Sequence, residues 1–185
     1  LKEEADKARA FSRVGTEIQR MESLVQDLLL LAELGESGAR DIEKIDLSEI
    51  LTAHGTDFIT LNPSRNVTLA ISQGITIEAS RDYIARFIQN ALTNIMRHTA
   101  KDDAVAISCK RTGKSVRILI ADGGPGLPES AYQENIRSLA RFDKSRSREN
   151  GGSGLGMSIM SAVIVKLHGS LAFRKSSLGG LEIAV

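Results

Sequence analysis

The chain has 185 residues, 42% of them hydrophobic and 25% charged, enough for one ordinary domain and an added element. A formal net charge of +1 argues against a nucleic acid or a membrane surface as partner, and no apolar run nears the roughly 20 residues of a membrane span. The single cysteine, Cys109, excludes an internal disulfide and reads as a small core residue.

The chain opens on Leu-Lys-Glu-Glu, without Met and without a signal-peptide pattern, and is expected to be an internal part of a longer protein. From about residue 2 to 34 there is no Pro and only Gly15 as a breaker. Phe11, Val14, Ile18, Met21, Val25, Leu28 and Ala32 recur at spacings of 3 and 4, an a/d seam. Leu24, Leu29, Leu30 and Leu31 widen that face beyond a two-stranded zipper, which suits a four-helix bundle. A partner helix is therefore expected; the alternative is that the stripe packs on the rest of this chain. Gly35-Glu36-Ser37-Gly38 and the charged residues to Lys44 read as a linker.

Asp46 to Phe58 reads as a short strand or turn and then a helix, with Ser48 as the expected N-cap. Asn66–Ser72 and Gly74–Glu78 read as short strands. Ser80 is expected to cap a long helix whose apolar face is Ile84, Phe87, Ile88, Ala91, Leu92 and Ile95. Ala104–Lys110 and Val116–Ala121 alternate around Thr112-Gly113-Lys114, a hairpin. Residues 127–150 have no period and read as a long loop. Gly154–Leu167 reads as a helix, and Ser170–Phe173 and Leu181–Val185 as strands joined at Gly179-Gly180. The sum is an α+β domain, one mixed sheet with helices on one face.

Three runs carry chemistry. Asn90, Asn94 and Arg97 fall at i, i+4 and i+7 of the long helix, one polar stripe beside its apolar face. Asn is a weak helix former, so two of them one turn apart need a reason. Mg2+ supplies one, since it takes hard oxygen ligands, keeps several waters and bridges to phosphates. The expectation is that the Asn90 carbonyl ligates Mg2+ while Asn94 and Arg97 meet phosphates; the alternative is a solvated stripe. Asp122 ends an apolar strand and opens Gly-Gly-Pro-Gly-Leu-Pro. A carboxylate there can accept from the exocyclic amine of adenine, and the glycines let the backbone approach a flat ring. The alternative is an ordinary Asp-Gly turn.

Gly151-Gly152-Ser153-Gly154-Leu155-Gly156 precedes a helix, and bare amides at a helix N-terminus favour phosphate. This run is neither a Walker A loop nor the dinucleotide fingerprint. Between residues 137 and 150, Arg137, Arg141, Lys144, Arg146 and Arg148 outnumber Asp143 and Glu149, which reads as a basic lid over a phosphoryl group. A solvated charged loop is the bland alternative.

In this order the runs resemble the ATP-binding module of sensor histidine kinases, within the GHKL ATPases (gyrase, heat-shock chaperone, kinase and mismatch-repair groups). Asn90 to Thr99 looks like the N box, Asp122 to Gly126 like the D-x-G-x-G box, and Gly152 to Gly156 like the second glycine box. Asp143 to Arg148 is similar to the lid segment. The resemblance covers roughly residues 10 to 185 and implies a two-layer α/β sandwich of Bergerat type. It implies Asn90 as the Mg2+ ligand, Asn94 and Arg97 at the phosphates, and His98 as a ring bordering the nucleotide. It implies Asp122 as the acceptor from adenine N6, Gly124 and Gly126 as walls of the adenine pocket, and Arg141 and Arg146 as lid arginines near the γ-phosphate. Gly152, Gly154, Leu155 and Gly156 would offer backbone to the phosphates.

The resemblance also divides the chain. Residues 1–37 would be the second helix of a dimerisation and histidine-phosphotransfer bundle, 38–48 a linker and 49–185 the ATP-binding domain. His54, His98 and His168 are followed by Gly, Thr and Gly, whereas the family's phosphoacceptor His is followed by an acid, so the acceptor is expected upstream of Leu1. The implied function is a protein-histidine kinase that moves the γ-phosphoryl group of ATP to that histidine and thence to a response-regulator aspartate. A homodimer through the N-terminal helix, a receiver-domain partner and a cytoplasmic setting on a membrane-anchored sensor are implied with it. The rivals are another GHKL ATPase or serine kinase, and a catalytically inert ATP-binding relay. The bundle seam of residues 11–32 speaks against the first, and the presence of both Asn90 and Asp122 against the second.

Overall fold

The structure, a computed structural model, describes residues 2–35, 42–133 and 155–185. Helix α1 spans Lys2–Gly35. Its a/d seam faces outward: Phe11, Val14, Ile18, Met21, Val25 and Leu28 are all more than half exposed. The contact with the rest of the chain uses the other edge instead. Leu34 is buried, and Leu30 and Leu31 pack partly on the core. The stripe therefore does not pack back on the described residues.

Strand β1 (Glu43–Asp46) falls inside the expected linker and leads straight into α2 (Leu47–Leu61). Asp46, not Ser48, caps α2: its carboxylate accepts from Glu49 N–H at 3.0 Å. Ser48 lies inside the helix and is buried; its Oγ donates to Ser72 O at 2.7 Å and accepts from Ile75 N–H at 2.9 Å. The hydroxyl thus ties α2 to the turn between β2 (Val67–Ile71) and β3 (Thr76–Ala79). Those two strands were expected, yet they do not pair with each other. β3 runs antiparallel to β1, while β2 joins the main sheet.

Helix α3 (Arg81–His98) buries the apolar face read from its spacing: Ile84, Phe87, Ile88, Ala91, Leu92 and Ile95. Ser80 sits at its N-cap position without a side-chain capping bond. The hairpin of β4 (Val105–Thr112) and β5 (Ser115–Asp122) follows. Glu129–Gln133 is a short helix, α4, where a loop was expected. Helix α5 covers Gly156–Lys166, and β6 (Ala172–Lys175) and β7 (Leu181–Ala184) close the chain.

The five-stranded sheet has the order β2-β4-β5-β7-β6, with β2–β4 parallel and the other pairs antiparallel. One rung across it reads Leu69, Ile107, Ile120, Ile183 and Phe173, apolar at every strand. Period-2 alternation along each strand puts these side chains on the helix side. There they meet Phe87, Ile88, Ile159, Met160 and Val163 in one core. The result is the two-layer α/β sandwich expected. Each fully buried side chain such as Phe87 contributes about 1.5–3 kcal/mol against exposure. This core holds α3 and α5 side by side above the sheet, which sets the site.

Candidate functional site

Asn90 and Asn94 stand on α3, half-buried beside its apolar face. The Asn90 Nδ2 donates to the Arg86 carbonyl at 2.9 Å, one turn back. That bond uses one of the amide's two N–H donors and leaves Oδ1 without a hydrogen bond among the described residues. The oxygen points at the start of α5: a Cβ placed on Gly156 would lie 3.0 Å from Asn90 Oδ1 and 3.5 Å from Asn94 Oδ1. A side chain there would crowd the Asn90 oxygen and touch that of Asn94. Leu155 takes the N-cap position of α5, and no side chain caps the helix there; a helix N-terminus is a place where backbone amides can meet an anion. The first asparagine run and the end of the second glycine run therefore meet.

Asp122 is the last residue of β5 and is 6% exposed. Its Oδ1 accepts from Gly124 N–H at 2.9 Å and Leu181 N–H at 3.1 Å. Its backbone carbonyl accepts from Gly180 N–H at 3.1 Å. Two turns distant in sequence thus clamp one oxygen of the carboxylate, and among the described residues Oδ2 has no hydrogen-bond partner. A carboxylate held in one orientation, with one oxygen still unsatisfied, can accept a further hydrogen bond. Gly124 lies against Thr99, the C-cap of α3; a Cβ there would stand 2.6 Å from Thr99 Cγ2. Gly126 has φ of +66°, a conformation that favours glycine. Beyond it, Leu127 N–H donates to Tyr132 Oη at 2.8 Å. An exposed ion pair, Lys175 to Glu129 at 2.6 Å, links α4 to β6. That carboxylate, by hydrogen bond and charge, pushes the Lys175 ammonium above its ordinary range.

The two clusters share α3. Asn90 and Thr99 are nine residues apart, about 13 Å along a helix axis, the scale of an extended nucleoside triphosphate. Asn90, Asn94, Leu155 and Gly156 form one end, and Asp122, Gly124 and Gly126 the other. Arg97 and His98 finish α3 in exposed positions between them, with no hydrogen bond or ion pair to either cluster among the described residues. Arg141, Arg146, Gly152 and Gly154 lie outside the described residues, as does the expected basic lid.

Four contributors were not foreseen. Leu181 N–H and Gly180 N–H hold Asp122, although the sequence showed Gly179-Gly180 only as a turn. Tyr132 buttresses the glycine turn, and nothing local marks it. Arg65 donates to Thr99 Oγ1 at 2.6 Å; a lone Arg ahead of a strand carries no signal.

An amide oxygen from Asn90 is a hard donor, and Mg2+ completes its shell with waters and phosphate oxygens. The residues present fit that ion. Among the described residues no group of three or more His, Cys, Asp or Glu could hold a metal by itself, which Mg2+ in a phosphate site does not require.

A two-layer sandwich with a clamped strand-end carboxylate at one end and paired asparagines facing a helix N-terminus at the other defines a nucleotide-site class. Residues 79–185 match the family described as Histidine kinase-, DNA gyrase B-, and HSP90-like ATPase, and the chain belongs to it. Within that family its relatives are sensor kinases. It is 33% identical over 179 residues to the probable sensor histidine kinase TcrY of Mycobacterium tuberculosis, covering 96% of this chain and 38% of that protein. It is 31% identical over 173 residues to the signal transduction histidine-protein kinase BaeS of Escherichia coli, covering 91% and 37%. The chain thus spans about two fifths of the length of the curated relatives it matches. Among solved structures, full-length ShkA in complex with AMPPNP superposes with a TM-score of 0.68 at 22% identity, over 93% of this chain and 36% of that one.

Proposed function

We propose that this chain is the ATP-binding catalytic region of a sensor histidine kinase, which moves the γ-phosphoryl group of ATP to a histidine outside these residues and thence to a response-regulator aspartate. The observation that carries the reading is the double convergence along α3: Asn90 and Asn94 against Gly156, and Thr99 against the turn that holds Asp122. Asp122 Oδ2 accepts from adenine N6. Gly124 and Gly126 wall the ring. The N-terminus of α5, with Leu155 and Gly156, takes phosphate oxygens, aided by Asn94, Arg97 and His98. Asn90 Oδ1 holds Mg2+, which when bound neutralises phosphate charge. Phosphoryl transfer asks mainly for positioning and charge stabilisation, and these residues supply both. Gly152 and Gly154, and the lid arginines Arg141 and Arg146, complete the phosphate end in this reading.

Helix α1 is read as the second helix of a dimerisation bundle. Its exposed seam from Phe11 to Leu28 fits a homodimer, with the linker ahead of β1 and the ATP-binding domain from Glu43 onward, since β1 pairs with β3 and Ile45 and Leu47 lie in the core. Among the described residues no helix is long and apolar enough to cross a membrane; a membrane anchor, with this region on the cytoplasmic side, is proposed for the whole protein. The test has two stages. Calorimetric titration with Mg-ATP asks whether the chain binds nucleotide. Adding a bundle fragment that bears the acceptor histidine, with γ-labelled ATP, asks whether acid-labile label reaches histidine. Binding without histidine label would favour another ATPase or an inert relay.

A further inference from the structure

We propose that Arg65 is a positioning residue for the purine end of the site, acting through Thr99. This rests on the reading of Asp122 as the acceptor for the adenine amine. Arg65 follows Asn62-Pro63-Ser64 in the connection between α2 and β2 and is only 7% exposed. Its guanidinium carbon lies 6.0 Å from the centroid of the Phe58 ring, a cation–π distance. Among the described residues no carboxylate pairs with it, and its Nε has no hydrogen-bond partner. A buried cation without a counter-ion is costly, so its one short side-chain bond calls for a reason.

That bond runs from Arg65 Nη1 to Thr99 Oγ1 at 2.6 Å. The Thr99 hydroxyl in turn donates to Ile95 O at 2.7 Å. Its donor and an acceptor position are both engaged, so the side chain is held in one rotamer. In that rotamer Cγ2 faces Gly124, 2.6 Å from where a Cβ would sit. The Gly124 N–H then sets Asp122 Oδ1 at 2.9 Å. Three links thus run from a buried guanidinium to the carboxylate that reads the purine. The competing account is that Arg65 only fastens its connection onto Phe58.

The test uses the full chain and two nucleotides, Mg-ATP and Mg-ITP, which carry an amine and a carbonyl at purine position 6. Arg65→Met is expected to weaken ATP about tenfold, the loss of one charge-assisted bond's worth of ordering, and ITP less than about twofold. Discrimination between the two therefore shrinks. Thr99→Val keeps the shape, loses the hydroxyl and is expected to reproduce that pattern. The double variant is expected to be no worse than either single one, since both cut the same chain. Arg65→Lys recovers part of the discrimination. Melting is followed alongside, and binding is measured well below the lowest midpoint. An Arg65→Met chain with unaltered discrimination, or an equal loss for ATP and ITP, overturns the proposal and leaves Arg65 a structural fastener. Failure of the unaltered chain to bind ATP removes the adenine reading and this inference together.

Discussion

Asp122→Asn separates the carboxylate's structural role from its recognition role. The residue is 6% exposed, and its Oδ1 accepts from Gly124 N–H at 2.9 Å and Leu181 N–H at 3.1 Å. An asparagine carbonyl can keep both bonds, but each loses charge assistance and falls to roughly half strength. The expected stability loss is about 1–2 kcal/mol, or roughly 2–8 °C in Tm at this chain length. The new Nδ2 then occupies the place of Oδ2 and turns a donor toward the adenine amine, also a donor. A hydrogen bond to a charged group, worth about 1.5–3 kcal/mol, is lost, so the Kd for ATP should rise about 10- to 150-fold. ITP, which presents an acceptor at that position, should weaken less or tighten. Asp122→Ala provides the contrast, because it strands the buried Leu181 amide, at about 1–3 kcal/mol, and the half-buried Gly124 amide, and should lower Tm further. Calorimetric titration with both nucleotides, with thermal melts of each variant, reads all of this. A folded Asp122→Asn chain that binds ATP within about twofold of the unaltered one would refute the assignment of Asp122.

Asn90→Ala removes the oxygen facing Gly156, and its ATP affinity should lose most of its Mg2+ dependence while Tm moves by less than about 1 kcal/mol equivalent; titration with and without Mg2+ decides, and an unchanged metal dependence contradicts the ligand role. Ile18→Asp with Val25→Asp puts charge into the exposed α1 seam and should shift the chain to monomer in sedimentation without altering ATP affinity; a dimer that survives both changes assigns the interface elsewhere. Burial pushes the Cys109 thiol up from 9.0 to about 11, against a smaller opposing effect of Arg111. Between those values the native chain keeps a proton that the unfolded chain releases, so stability should fall as pH rises through that window. Cys109→Ala should flatten that fall in urea denaturation compared at about pH 8 and about pH 10.5; equal slopes would show that the thiol is not the group responsible.

Local spacing was enough for the elements whose signal is periodic. The face of α3 from Ile84 to Ile95, the β4–β5 hairpin and the apolar stripe of α1 follow from side-chain period alone, because 3.6 and 2.0 are set by backbone geometry; that the stripe faces outward only the structure decides. The order of the asparagine and glycine runs likewise points to the family that residues 79–185 match. Partner choice was not contained in such local signals. β2 and β3 read only as two short strands, and nothing in them says that one pairs with β4 and the other with β1. Ser48 reads as a cap, yet its hydroxyl serves a distant turn. Asp122 reads as a strand-end acid able to accept from adenine, but nothing local shows that Leu181, 59 residues on, holds it. Arg65 has no local mark at all; its meaning comes from Thr99, 34 residues away. Periodicity reports which side of an element is apolar, whereas a hydrogen bond between remote residues exists only once the core has fixed both elements in space.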